Sequence, residues 1–285
     1  MLFIAFGAIF LVALTLSVEC LAAEGEGNDI YRTKIGDVEI FMLSEVQRDG
    51  DPSILIGASS ADLKKFIPSG KYPSAVNAFA LRSPEGITLI DTGYGRKLFD
   101  NLERIGIASD DVGAILITHS HGDHIGGLVR DGSPAFQKAK VYIAKLEYEW
   151  SQSVRQALLG YEGRVELIAP GELSDSGPEL LKGVRAISAY GHTPGHTVFM
   201  IESGGERLLI WGDVTHAMAI QAPRPGVSVT YDSDPKQAAA VRKSIIEYVF
   251  ERKIPVAGMH IAYPGIGRLE RDPEAKGSYK FAPLP

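Results

Sequence analysis

The stretch that decides the fold is Ala114-Ile115-Leu116-Ile117-Thr118-His119-Ser120-His121-Gly122-Asp123-His124. Its first four residues form an apolar run that is typical of a buried strand. The six residues that begin at His119 then place three imidazoles and one carboxylate in a short turn. Imidazole and carboxylate groups are ligands for zinc, iron or manganese, and burying so many of them without partners is costly. The turn therefore indicates a metal site, and the number of ligands favours two ions.

The N-terminal segment differs from the rest of the chain. Residues 2–16 are almost entirely apolar, and small residues at Ala22 and Ala23 precede an acidic, glycine-rich stretch. This pattern is typical of a secretory signal peptide. We predict a signal peptide over 1–23 and a hydrolase domain over 24–285, which makes the protein periplasmic or secreted. An uncleaved anchor, which would attach the protein to a membrane, and a buried helix are the alternatives. The segment is short for a membrane span, which needs about 20 apolar residues.

Composition narrows the class of partner. The net charge of -6 over 285 residues provides no basic surface for nucleic acid, so the expected partner is a small-molecule substrate. The single cysteine, Cys20, lies in the predicted signal peptide, so the domain is expected to lack disulfide bonds.

Hydrophobic patterning predicts the elements around the metal turn. Strands are predicted over residues 35–42, 75–81, 87–90, 114–118, 141–144, 185–188, 197–202, 207–211 and 255–259. Helices are predicted over 98–105, 145–153 and 235–252, and Asp234 is the expected N-cap of the last one. Strands and helices recur in both halves of the domain, and this pattern predicts two packed sheets with helices outside. Functional sites on layered α/β folds collect at strand ends.

Three further ligand candidates stand in glycine-framed positions after predicted strands. One lies in Gly191-His192-Thr193-Pro194-Gly195-His196, and the others are Asp213 in Trp211-Gly212-Asp213 and His260 in Gly258-Met259-His260. From the residues alone, His192 and His196 are alternatives for the ligand in the first motif.

Together with Asp91-Thr92-Gly93, these motifs resemble those of metallo-β-lactamase-fold hydrolases. They occur in the same order as in that family, and the resemblance covers nearly all of the domain. The resemblance implies an α+β fold, a four-layer αβ/βα sandwich. It assigns His192 rather than His196 as the ligand. One ion would be held by His119, His121 and His192, a second by Asp123, His124 and His260, and Asp213 would bridge them.

Asp213 indicates which hydrolases of this superfamily the chain resembles most. The β-lactamases of this superfamily lack the bridging aspartate, whereas binuclear lactonases, thioesterases and phosphotriesterases carry it. Trp211-Gly212-Asp213-Val214-Thr215-His216, Tyr231-Asp232-Ser233-Asp234 and His260-Ile261-Ala262-Tyr263-Pro264-Gly265-Ile266-Gly267 are similar to methyl parathion hydrolase and its lactonase-like relatives. Members of that group are exported enzymes with two metal ions. The resemblance to them suggests that this protein forms a homodimer.

The resemblance implies a reaction. Two divalent ions, zinc or else manganese, iron or cobalt, would share a bridging hydroxide that attacks a lactone, aryl ester or phosphotriester. Asp123 is the candidate that carries a proton to the leaving group. The alternatives are a β-lactamase-type amide hydrolase, a mono-iron enzyme similar to sulfur dioxygenases, and a metal-binding protein without catalysis.

Six more residues complete the predicted site. Asp91 resembles the family's buried aspartate that supports the metal turn, and His196 and His216 are expected behind or beside the ligands. Aromatic side chains are expected to line the substrate pocket, with Trp150, Phe66 and Tyr72 as the candidates.

Overall fold

The computed structural model describes residues 29–273 and 277–285, so the predicted signal peptide lies outside the described residues. Within those two ranges, no helix is both long enough and apolar enough to cross a membrane. Ten strands form in the first half of the chain: β1 (Ile30–Ile35), β2 (Val38–Gly50), β3 (Leu55–Ile56), β4 (Tyr72–Ser83), β5 (Gly86–Ile90), β6 (Val112–Leu116), β7 (Val129–Arg130), β8 (Ser133–Pro134), β9 (Lys140–Ala144) and β10 (Val165–Ile168).

The second half adds β11 (Val184–Ser188), β12 (Thr197–Ser203), β13 (Glu206–Ile210), β14 (Ser228–Val229), β15 (Val256–Ala257), β16 (Ile266–Arg271) and β17 (Tyr279–Pro283). The helices are α1 (Ser60–Phe66), α2 (Leu98–Arg104), α3 (Gly122–Ile125), α4 (Lys145–Trp150), α5 (Gln152–Ala157), α6 (Met218–Gln221) and α7 (Pro235–Glu251).

Two large sheets carry the fold. The first has seven strands in the order β1-β2-β4-β5-β6-β9-β10, and the second has six in the order β11-β12-β13-β15-β16-β17. β5, β6, β9 and β10 run parallel, so their carboxyl ends meet at one edge of the first sheet. β13 and β15 are likewise parallel in the second sheet.

Three apolar clusters separate the layers. The central cluster joins the two sheets, with Met42 and Phe79 from the first against Phe199 and Ile210 from the second. A second cluster packs the outer face of the first sheet against α2 and α5, and a third packs the second sheet against α7. The layers thus run helix, sheet, sheet, helix, and the predicted α+β four-layer sandwich is confirmed.

Helix α7 forms where its sequence signals predicted it. The Asp234 carboxylate accepts a hydrogen bond from the Gln237 backbone nitrogen at 2.9 Å, and Pro235 occupies the first turn, where its missing N–H costs nothing. Ile245 and Val249 are buried against the second sheet. The helix therefore closes one outer layer of the sandwich.

Two predicted elements differ from the structure. The strand expected over 35–42 is a hairpin, because Gly36 adopts a left-handed φ of 53° and turns β1 back as β2. The helix expected over 145–153 is broken at Ser151, whose extended backbone ends α4. Its hydroxyl then accepts from the Val154 backbone nitrogen at 3.3 Å and caps α5.

Candidate metal centre

The predicted ligands come together at one edge of the sandwich. The first sheet contributes the turn that follows β6 and runs into α3. The second sheet contributes the loop before β12 and the segments after β13 and β15, where His192, Asp213 and His260 lie. The centre is therefore assembled from strand ends of both sheets.

The predicted ligands form two compact groups of atoms, and a third group, of Asp213, His216 and His260, overlaps both. One atom from each of His119, His121, His192 and Asp213 lies within 4.8 Å of the others. Atoms of Asp123, His124 and His260 form a second group with the same spread. Asp213 faces both groups, since its Oδ2 atom is 3.3 Å from His192 Nε2 and 3.0 Å from His260 Nε2, and its Oδ1 atom is 3.2 Å from His124 Nε2.

The histidines are aimed by hydrogen bonds at their other ring nitrogen. His124 Nδ1 lies 2.6 Å from Asp91 Oδ2, and His192 Nδ1 lies 2.8 Å from Asp232 Oδ1. His260 Nδ1 lies 2.8 Å from the carbonyl oxygen of Ala75. Such contacts fix the tautomer and ring orientation of a metal ligand. They leave Nε2 of each ring directed at the centre.

Burial sets the charge of several imidazoles. It holds the pKa of His119 well below the usual value, and the neighbouring His124 adds to the effect. Burial, assisted by His192, lowers the pKa of His121 to about 4. Both rings are therefore neutral at pH 7, which is the form that binds metal.

At Asp213 and His124, charged neighbours outweigh the effect of burial on the pKa. Burial disfavours the charged form of Asp213, but the surrounding His124 and His260 outweigh it and hold its pKa well below the usual range. Burial likewise opposes protonation of His124, but the carboxylates of Asp213 and Asp91 outweigh it and raise its pKa well above the ordinary value. The carboxylates thus favour positive charge at His124, and a bound cation would replace its proton.

Two buried atoms test whether the donor set suits a metal. His124 Nε2 and Asp213 Oδ1 face each other, yet neither has a hydrogen-bond partner in the part of the chain that the structure describes. An unsatisfied buried polar atom costs about 1–3 kcal/mol. A cation between these atoms would satisfy both, so the residues present fit a metal ion.

Comparison with known proteins identifies the family. A model of the metallo-β-lactamase superfamily matches residues 72–250. The chain belongs to that superfamily. This agrees with the resemblance that the motifs indicated.

Relatives within the superfamily are hydrolases. An N-acyl homoserine lactonase of a Bacillus species is 29% identical over 144 residues, covering 48% of this chain and 53% of that protein. A Bacillus cereus protein of the same name is 26% identical over 161 residues, covering 46% and 60%. This chain spans about half the length of the curated relatives it matches.

Solved structures share the fold over most of the chain. The hydrolase AbOPH of the β-lactamase superfamily has a TM-score of 0.80 at 25% identity, covering 90% of this chain and 98% of that one. AidC, described as a dizinc quorum-quenching lactonase, has a TM-score of 0.78 at 23% identity, covering 90% and 97%.

The residues expected to support the metallo-β-lactamase centre lie beside it. Asp91 is fully buried and accepts hydrogen bonds from the Thr118 backbone nitrogen at 2.7 Å and the Thr118 hydroxyl at 2.6 Å. His196 lies behind Asp213, since its Nε2 atom accepts a hydrogen bond from the Asp213 backbone nitrogen at 3.0 Å. Burial lowers the pKa of His196 to about 3, which keeps that nitrogen an acceptor. His216 Nε2 lies 3.1 Å from Asp213 Oδ2 and borders the cavity.

A cavity of about 570 Å³ opens onto the centre. Its lining includes His121, Asp123, Asp213 and His260 together with the side chains of Arg48, Ser74, Tyr72, Tyr94 and Tyr231. The predicted pocket residue Tyr72 is among the residues that line this cavity, and its contact with substrate stays a prediction. Its ring lies across Gly50, where a Cβ would come within 2.2 Å of it, so glycine is required there.

The structure does not bring the other two pocket candidates to this cavity. Trp150 is 49% exposed on α4, at the surface rather than on the wall. Phe66 lines a separate apolar groove of about 370 Å³ with Pro73, Met218 and Tyr263. Both predictions rested on aromatic character and matching position, which do not fix the direction of a side chain.

Sequence reasoning missed several residues of the site. Tyr94 and Tyr231 line the cavity, and no periodic signal marks them because they lie outside strands and helices. Asp232 orients His192, and it stood in the Tyr-Asp-Ser-Asp motif without an assigned role. Glu147 is fully buried whereas Glu149 in the same helix is exposed, and no local pattern distinguishes the two.

Proposed function

We propose that the protein is a binuclear metal-dependent hydrolase that opens the ester bond of a small lactone. The observation that carries the proposal is the position of Asp213 between the two ligand groups. A carboxylate that faces both groups can ligate two ions at once. Binuclear hydrolases hold their ions roughly 3.5–4 Å apart.

Each ion has its own set of side chains in this proposal. His119, His121 and His192 would hold one, Asp123, His124 and His260 would hold the other, and Asp213 is placed to serve both. Zinc is the expected metal because imidazole and carboxylate ligands suit it, and manganese, iron and cobalt are the alternatives. The dizinc description of AidC, a protein of the same fold, is in keeping with zinc.

When bound, divalent ions would supply an activated water as the nucleophile, because metal ions lower the pKa of bound water. The chain's own residues do the rest. Asp123 borders the cavity, and although burial disfavours its charged form, His124 and His260 hold its pKa below the usual value. It is therefore ionised at pH 7, can accept the proton of the attacking group and can deliver it to the leaving alkoxide.

The cavity favours a substrate with an apolar body and a polar reactive end. Tyr72, Tyr94 and Tyr231 provide aromatic faces for an acyl or ring group, and their hydroxyls provide hydrogen bonds. The relatives named N-acyl homoserine lactonases support lactones over the aryl esters and phosphotriesters that the sequence also allows.

A metal count and a substrate panel test the proposal. We expect about two ions per chain, by elemental analysis, and hydrolysis of lactones that stops when a chelator is added. Asp123→Asn should lower kcat by about 100-fold or more, whereas the exposed Asp110→Asn should leave it unchanged. Activity that resists the chelator, a single bound iron, or turnover of β-lactams alone would each reject the proposal.

We also propose that the protein is exported with cleavage of residues 1–23, and that it forms a homodimer. Mass spectrometry of protein recovered from the periplasm or medium should give a chain that begins near residue 24. Light scattering of that protein should give twice the chain mass. An intact chain that remains with the membrane would favour the anchor instead.

A further inference from the structure

One buried carboxylate outside the ligand set joins the two loops that carry the first ligand group. Glu147 lies in the first turn of α4 and is fully buried. Its Oε1 atom accepts hydrogen bonds from the Ser120 backbone nitrogen at 2.8 Å and from the Ser120 hydroxyl at 2.5 Å. Its Oε2 atom accepts from the Thr193 hydroxyl at 2.6 Å and the Gly195 backbone nitrogen at 3.0 Å.

These partners stand next to ligands in both loops. Ser120 separates His119 from His121, and Thr193 follows His192 directly. The first loop follows a strand of the first sheet and the second precedes a strand of the second sheet. Glu147 therefore connects the two loops across the interface between the sheets.

The packing around Glu147 leaves little freedom. A Cβ at Gly195 would lie 2.3 Å from the Glu147 backbone nitrogen, so the second loop rests directly on α4. A buried side chain that accepts from four donors is expensive to remove, because its loss leaves those donors without partners. The carboxylate thus holds both loops in one position relative to each other.

We propose that Glu147 is a positioning residue that sets the spacing of His119 and His121 against His192, and so determines the affinity for the ion that these three hold. The proposal rests on the two-ion centre of the proposed function. The second ligand group should be affected much less, because none of its residues adjoins a donor to Glu147 in the chain.

Zinc binding to ligand-deletion variants tests this selectivity. His260→Ala leaves the first group intact, and His192→Ala leaves the second. Glu147→Ala is added to each, and zinc affinity of the metal-free full chain is measured by competition with a chromophoric chelator. In the His260→Ala background, Glu147→Ala should weaken zinc binding by about 10–100-fold. In the His192→Ala background the change should stay within about twofold.

Folding is measured alongside binding. Glu149→Gln is the matched control, because Glu149 lies on the same helix with an exposed side chain paired to Lys145 at 3.7 Å. It should change neither affinity nor thermal unfolding. Equal losses in both backgrounds, or a lower unfolding temperature of the metal-free protein with unchanged zinc affinity, would overturn the proposal.

A milder variant covers the case in which Glu147→Ala does not fold. Glu147→Gln keeps one acceptor oxygen, so one loop stays attached while the amide NH₂ faces the donors of the other. It should show the same selective loss, reduced in size, and no loss would overturn the proposal. Wild-type protein that binds a single zinc would instead reject the two-ion function, so the two failures are distinct.

Discussion

At the scale of single residues, three of the ligands, His124, His192 and His260, depend on partners from distant parts of the chain. Asp91 orients His124 from 33 residues away, and Asp232 orients His192 from 40 residues away. Arg242, itself buried, lies 3.5 Å from Asp232. The carboxylate of Asp232 thus lies between His192 on the side of the centre and Arg242 on the outer side. The ligands owe their direction to these contacts as much as to the turn that carries them.

Proton release on metal binding should reveal the charge of the ligands. Despite burial, neighbouring carboxylates raise the pKa of His124, His192 and His260 in the metal-free protein. Any of these rings that carries a proton must lose it to bind an ion, so affinity should rise with pH, by roughly tenfold per pH unit for each proton released. Zinc titration calorimetry in two buffers of different ionisation enthalpy checks this. Identical heats in both buffers would contradict it.

The Tyr72 hydroxyl should contribute a hydrogen bond to bound substrate. Burial raises the pKa of Tyr72 to about 12, so the group remains a donor throughout the working pH range. Removing one net hydrogen bond of about 0.5–1.5 kcal/mol in Tyr72→Phe should lower kcat/KM by roughly two- to tenfold. Its pH profile should not move. Tyr263→Phe, outside the cavity, is the control, and an unchanged kcat/KM for Tyr72→Phe would exclude the contact.

At the scale of elements, the sequence predicts what is local and misses what is not. The turn after β6 and the helix α7 were predictable because ligand spacing, an apolar stripe and an N-cap all lie within one segment. The cavity wall was not, because Arg48, Tyr94 and Tyr231 come from three separate parts of the chain. Glu147 shows the same limit. Its burial depends on hydrogen bonds from two distant loops, which no local sequence pattern indicates.

The contact between α4 and the loop of His192 should tolerate no added methyl group. In Gly195→Ala the new Cβ would meet backbone rather than a flexible side chain. Such overpacking typically costs about 1–3 kcal/mol in free energy of unfolding. Denaturant unfolding measures it, with Gly226→Ala as control, since a Cβ there meets nothing within 4 Å. Equal stability of the two variants would show that the loop can move off the helix.

At the scale of the whole molecule, the metal centre is also a junction between the sheets. The first sheet supplies the metal turn and the second supplies His192, Asp213 and His260. Asn77 on β4 reinforces the junction, because its amide donates to the carbonyl oxygens of Gly258 at 3.1 Å and Ile261 at 2.8 Å. These bonds hold the His260 segment against the first sheet. The ions would complete a connection that protein contacts begin.

Removal of the ions should therefore loosen the molecule at this edge. An ion that binds only the folded state, at a thousandfold excess over its Kd, stabilises it by about 4 kcal/mol. For a domain of this size that corresponds to a fall in Tm on the order of 10 °C when the ions are stripped. Hydrogen exchange should rise in the loops of His121, His192 and His260 and stay low in the central cluster between the sheets. Zinc added back should restore both, and a chelator already saturated with zinc should have no effect. An unchanged Tm after complete stripping would mean that side-chain contacts alone join the sheets.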